Sequence, residues 1–171
     1  VAIATAETVS GTATSASSIS AASWTPSAND LILVWVACRS GITVSSVSGN
    51  GITFTKVIED LETPQNQCTL SLWRGMSASP STGAITATLS GTANAAVIQA
   101  HRISGAITTG TNGADAIGAS AIANTGATDT TAPSVTLTTT AANSRVYGGA
   151  THRSQVYSAG SGETAISLNI T

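Results

Sequence analysis

Leu31-Ile32-Leu33-Val34-Trp35-Val36-Ala37-Cys38 is the one long run of this chain that is apolar at every position, set between an Asn29-Asp30 turn and an Arg39-Ser40-Gly41 break. Its length and its β-branched content fit a buried strand, since a helix usually needs about ten residues or more. An antiparallel strand with one wet face alternates apolar and polar side chains. This strand has no polar face. By parity Ile32, Val34, Val36 and Cys38 share one side, and Leu31, Leu33, Trp35 and Ala37 share the other. One side belongs to a core; the other has to be covered by the same chain or by a neighbour.

Outward from this run, period-2 alternation recurs. Ile52, Phe54, Lys56 and Ile58 alternate with Thr53, Thr55 and Val57; Leu70 and Leu72 alternate with Thr69, Ser71 and Trp73. Ile85, Ala87 and Leu89 face away from Thr86 and Thr88, Val135 and Leu137 from Thr136 and Thr138, and Ile166, Leu168 and Ile170 from Ser167 and Asn169. Short Thr-, Val- and Ile-rich runs of this kind fit a pleated, half-buried surface. Gly49-Asn50-Gly51 and Asn112-Gly113 are turn signals, because Asn and Gly tolerate positive φ. Ser79-Pro80-Ser81-Thr82-Gly83 and Gly91-Thr92-Ala93-Asn94 read as loops on either side of the Ile85 strand. Residues 114–121 read as one further strand, followed by a long loop. No segment carries a sustained helical stripe with caps, so little or no helix is expected. The spacing is that of a β-sandwich or barrel.

The chain of 171 residues fits one domain, here 1–171, with residues 1–20 as an edge strand or an N-terminal arm. Charged residues make up 8% of it, against about 25% in an ordinary soluble domain, and Ser, Thr and Gly fill the surface instead. A hydroxylated, weakly charged surface suits extracellular filaments, shells and adhesive domains. Net charge is −2, and Arg39, Lys56, Arg74, Arg102, Arg145 and Arg153 are too scattered to neutralise several phosphates, which argues against nucleic-acid binding. No run approaches the roughly 18 apolar residues of a membrane span. The first residues lack the basic-then-apolar pattern of a signal peptide.

Cys38 and Cys68 are too far apart in sequence for a metal knuckle. If the apolar faces of both strands point inward, Cys38 shares a core with Cys68, Leu70 and Leu72, and the two cysteines either form a disulfide or touch as buried thiols. The same parity puts Trp35 and Trp73 together on the outer face. Two exposed indoles side by side imply a subunit interface, a sugar-stacking platform, or cover by a loop of the same chain.

Catalytic signals are sparse. His101 and His152 are the candidate bases, neither in a recognisable motif, and there is no G-x-S-x-G elbow. Glu59, Asp60 and Glu62 cluster at a strand end without the ordered spacing of a calcium loop, and read as a solvated loop. Trp24, before Thr25-Pro26, is either a loop-exposed ring or a lid on the end of the fold. No catalytic residue, metal or cofactor is expected.

The succession Ser27-Ala28-Asn29-Asp30-Leu31-Ile32-Leu33-Val34, then Ser48-Gly49-Asn50-Gly51-Ile52-Thr53-Phe54-Thr55-Lys56-Val57, is similar to jelly-roll-like β-sandwich proteins found among tailed-bacteriophage structural proteins and uncharacterised bacterial surface proteins. So are Leu70-Ser71-Leu72-Trp73-Arg74-Gly75-Met76, Ser79-Pro80-Ser81-Thr82-Gly83-Ala84-Ile85-Thr86, and Ser104-Gly105 with Thr109-Gly110-Thr111-Asn112-Gly113. The resemblance implies an antiparallel jelly-roll sandwich of about nine to eleven short strands. It brings no catalytic residues. The family continues with several strands where this sequence has one, over residues 163–170, and a sheet left short has an open edge that pairs with other chains.

The function expected is that of a non-enzymatic structural protein on a virion surface or in an extracellular setting. It would decorate a capsid as a homo-oligomer and touch a major structural protein of the same particle. Trp35, Trp73, Val1 and Ile3 are the candidate interface residues, the last two in an arm over residues 1–9. A pilus-like filament subunit joined by strand donation and a carbohydrate-binding surface module are the alternatives.

Overall fold

The computed structural model describes residues 2–62, 67–126 and 133–151. Val1, His152 and the strand expected over residues 163–170 lie outside the described residues. Strand makes up 51% of the described residues and helix 4%, and every strand pairing is antiparallel. The fold is all-β.

Six strands are described: β1 (Ala4–Ser20), β2 (Leu31–Arg39), β3 (Val44–Gly49), β4 (Ile52–Leu61), β5 (Cys68–Gly75) and β6 (Ile85–Ser104). They are fewer and longer than the nine to eleven short strands expected. The sheet order is β1-β6-β2-β5-β4-β3, and β3 pairs with β6 as well. Strands β6, β2, β5, β4 and β3 therefore close into a five-stranded barrel with β1 added along β6.

Much of the shortfall in strand number comes from one corner. Gly91-Thr92-Ala93-Asn94 does not end a strand; β6 runs through it and changes neighbours. Its first part pairs with β3 (Thr86 with Ser48), and its second part pairs with β2 (Ile98 with Val36). Strand β1 follows β6 around the corner, and its register jumps from Ala16–Ala93 to Ser18–Thr88. At the bend Ser15 takes φ 49°, and Ala22 donates its N–H to Ser10 O at 3.0 Å. The bend brings Ser20 against Gly11, where a Cβ would lie 1.9 Å from Ser20 O; only glycine fits there.

Residues 114–121 do not form a strand. Residues Thr111–Ala116 form a short 3-10 segment, entered through Asn112 and Gly113 at positive φ. The turn expected at Asn112-Gly113 is present, and the strand expected over residues 114–121 is not. Val135–Leu137, despite its alternation, has no strand partner among the described residues.

The barrel interior holds Ile32, Val34, Val36 and Cys38 from β2, with Val44, Val47, Ile52, Ile85, Ala87, Leu89, Ile98 and Ala100 around them. The inward face of β2 is the one that parity assigned. In β5 the expected assignment is reversed. Val34 stands opposite Trp73, and Trp35 opposite Leu72. Directly opposed residues share a face, so Trp73 lies inside the barrel, only 6% exposed. Thr69 and Ser71 go inside with it. The Ser71 hydroxyl is tolerated there because Trp73 Nε1 donates to Ser71 Oγ at 3.2 Å, and Ser71 Oγ donates to Val36 O at 3.4 Å.

The same register separates the cysteines. Cys38 faces Thr69 and Cys68 faces Arg39, so the two side chains leave the sheet on opposite sides and no disulfide joins them. Burial pushes the Cys38 thiol up to about 12, and its Sγ donates to Ile42 O at 2.9 Å. It is an inert core thiol.

One end of the barrel is closed around Asn50, the middle residue of Gly49-Asn50-Gly51. Its Nδ2 donates to Trp24 O at 3.0 Å, Ser81 O at 2.9 Å and Gly83 O at 3.1 Å. Trp24 and Gly83 also exchange backbone hydrogen bonds, and the Trp24 side chain is buried. Trp24 is a lid.

Candidate functional site

The outer face of β2 carries Leu31, Leu33 and Trp35, and its cover comes from the same chain. Leu31, Leu33, Leu72 and Ile103 form an apolar cluster against which Ile3, Trp35, Val57, Ile58, Met76, Ala106, Ala116, Ile117 and Tyr147 pack. Gly149 lies flat on the Trp35 ring, where a Cβ would meet ring carbons at 2.9–3.1 Å. Of the three readings of an outer tryptophan, cover by the same chain is the one found. Trp35 is half-buried beneath the covering segment, and Trp73 is in the interior, so the pair forms no exposed patch. Ile3 also turns inward: it packs on this cluster, and its carbonyl accepts from Arg145 Nη1 at 3.1 Å.

The cover is incomplete. Between the sheet and the segments 106–121 and 137–147 is a cavity of about 260 Å³. Leu31, Leu33, Trp35, Leu72 and Ile103 make its floor, and Ile117 and Tyr147 stand against it. Two large apolar side chains of its lining are left in solvent, Ile107 at 59% and Val146 at 60% exposure. Arg145 and Asp115 are the charged lining residues. Asp115 Oδ2 accepts from Thr109 Oγ1 at 2.7 Å. Arg145 stacks over Tyr147 at 5.4 Å, and Tyr147 Oη accepts from Thr5 Oγ1 at 3.2 Å. Little in the sequence marks this cavity, because outside the 3-10 segment its covering wall is irregular chain.

His101 is on the same outer face, opposite Leu33 and Thr8, with its Nδ1 3.1 Å from Thr8 Oγ1. It is 4% exposed, and burial holds its pKa down at about 4. No carboxylate orients it among the described residues, so it lacks the third group that a catalytic base needs. It does make folding pH-dependent. Above the unfolded value of 6.5 the imidazole is neutral in both states. As pH falls from there toward 4, only the unfolded chain takes up the proton, so stability is lost over that window. The loss amounts to about 3 kcal/mol. Urea titrations between pH 7 and 4 should show it, and His101→Gln should flatten that part of the profile.

The acidic cluster is divided among separate tasks on β4 and just beyond it. Glu59 Oε1 pairs with Lys56 Nζ at 2.6 Å, and Oε2 accepts from Val44 N at 3.0 Å. Lys56 Nζ in turn donates to Val44 O, which ties the start of β3 to β4. Asp60 Oδ2 accepts from Asn124 Nδ2 at 2.7 Å, and Glu62 Oε2 from Gln67 N at 3.0 Å. No group of three or more potential metal ligands occurs among the described residues.

The remaining feature is an edge. Strand β1 ends the sheet order, and no strand pairs with its outer side among the described residues. Its one charged residue is Glu7, and it contains no Lys or Pro. Among the described residues no helix is long and apolar enough to cross a membrane. Comparison with protein-family models, curated proteins and solved structures finds no match for this chain.

Proposed function

We propose that this chain is a non-enzymatic structural subunit, of the jelly-roll-like kind that the sequence resembles, and that it assembles through the outer edge of β1. The observation that carries this reading is the length of that edge: β1 spans 17 residues with a single charge. Sheets that must stay monomeric protect an edge with lysines, prolines, short strands or cover. Residues 7–14 of β1 pair with β6 without a register break and have none of the first three, and the cover there is the hydrogen bond from Ala22 N to Ser10 O at 3.0 Å. A decorating subunit on a virion surface, touching its own copies and a major structural protein of the particle, is the setting that the resemblance supports.

The apolar outer face no longer supports assembly, since the chain covers it itself. A filament joined by strand donation has one observation in its favour. Residues 134–140 alternate like a strand and pair with none among the described residues, but Leu137, Thr139 and Thr140 line the cavity as part of the cover, so acting as a donor requires that they leave it. The carbohydrate-binding reading has lost its platform: Trp24 and Trp73 are buried, and Trp35 lies under the cover.

Light scattering across a concentration series tests the edge. The parent chain is expected to form oligomers. The variant Ser10→Lys with Thr12→Lys, both at exposed β1 positions, is expected to remain monomeric with unchanged melting. A parent chain that stays monomeric at every concentration overturns the reading, and filaments by negative stain turn it toward strand donation.

A further inference from the structure

We infer that the cavity between the outer face of the sheet and the covering segments is a binding site for a small single-chain aliphatic carboxylate. It is independent of the assembly role.

Size, chemistry and charge point the same way. An apolar cavity of about 150 Å³ holds benzene, roughly 25 Å³ per heavy atom, so a space near 260 Å³ takes a ligand of about ten heavy atoms. The floor offers Leu31, Leu33, Trp35, Leu72 and Ile103, which suits an alkyl chain, while the polar side chains of the lining, Ser120, Thr139, Thr140, Asn143 and Ser144, stand on the covering wall. Ile107 and Val146 stay exposed although they belong to the lining, a cost that an inserted chain would relieve.

Arg145 supplies the polar end. Its Nη1 donates to Ile3 O, its plane is steadied on Tyr147, and no carboxylate pairs with it among the described residues. A guanidinium with donors to spare at an apolar cavity recognises a carboxylate by charge-assisted hydrogen bonds. Asp115, the other charged lining residue, is already bonded to Thr109, and its Oδ1 backs onto Gly110, where a Cβ would lie 2.8 Å away. An aliphatic acid of eight carbons meets both requirements.

Calorimetric titration with octanoate tests this, with octanol and acetate as the probes lacking head or tail. Saturable one-to-one binding of octanoate is expected, with octanol weaker and acetate silent. Arg145→Gln should weaken octanoate by about tenfold and leave octanol unchanged. Ala116→Phe, which fills the cavity from the 3-10 segment, should abolish binding of both without lowering the melting temperature. Should Ala116→Phe disturb folding, displacement of bound octanoate by decanol in the parent chain reports the same site. Non-saturable uptake, equal affinity for octanol and octanoate, or binding that Ala116→Phe leaves intact in a folded protein overturns the inference.

Discussion

Asn50→Asp is expected to destabilise the fold by about 3 kcal/mol or more. The side-chain amide is buried, and its Nδ2 faces three carbonyls, those of Trp24, Ser81 and Gly83. Aspartate tolerates the same left-handed backbone, φ 53° at this position, so the change removes the donor and adds a charge without straining the chain. A carboxylate there would meet three oxygens it cannot bond. Protonating the new acid removes the charge and restores one donor, so its pKa in the folded state is raised. The variant should therefore recover part of the loss as pH falls, opposite in sign to the His101 effect. Urea denaturation at pH 7 and pH 5 measures both. A change below about 1 kcal/mol at pH 7 would mean that the three loops are not held by this amide.

Trp73→Ala is expected to cost about 3–5 kcal/mol, and Trp35→Ala about 1–2 kcal/mol. Trp73 fills the barrel opposite Val34 and makes a buried hydrogen bond to Ser71, so its removal leaves a cavity in a closed interior. Trp35 lies between the sheet and a cover of irregular chain that can settle onto the space. Equal losses, or the reverse order, would place the two rings as the sequence alone suggested, together on the outer face.

That difference shows what was legible in the sequence. The parity of β2 could be read because both faces were apolar and either choice gave the same strand. In β5 the rule that the apolar face points inward failed, because the outer face is also dry: Leu72 goes under the covering segment while Thr69 and Ser71 go inside. Strand β3 was not singled out, since its apolar residues Val44 and Val47 are three apart, with a register shift between Val44 and Ser46 that breaks the alternation. The corner at residues 89–93 looked like a loop because Gly and Asn mark bends within a strand as readily as its end. The cover alternates only at Val135 and Leu137, which pair with no strand among the described residues. Residues 118–126 and 133–151 hold few large apolar side chains, so nothing local shows that they lie on Trp35.

Hydrogen exchange along β1, compared between dilute and concentrated protein, tests the edge most directly. Within residues 7–14, amides that point away from β6 should exchange quickly in dilute solution and become protected as oligomers form, while those bonded to β6 stay protected throughout. Protection of the outward amides already present in the dilute monomer would contradict edge pairing between copies. So would fast exchange that persists in the assembly.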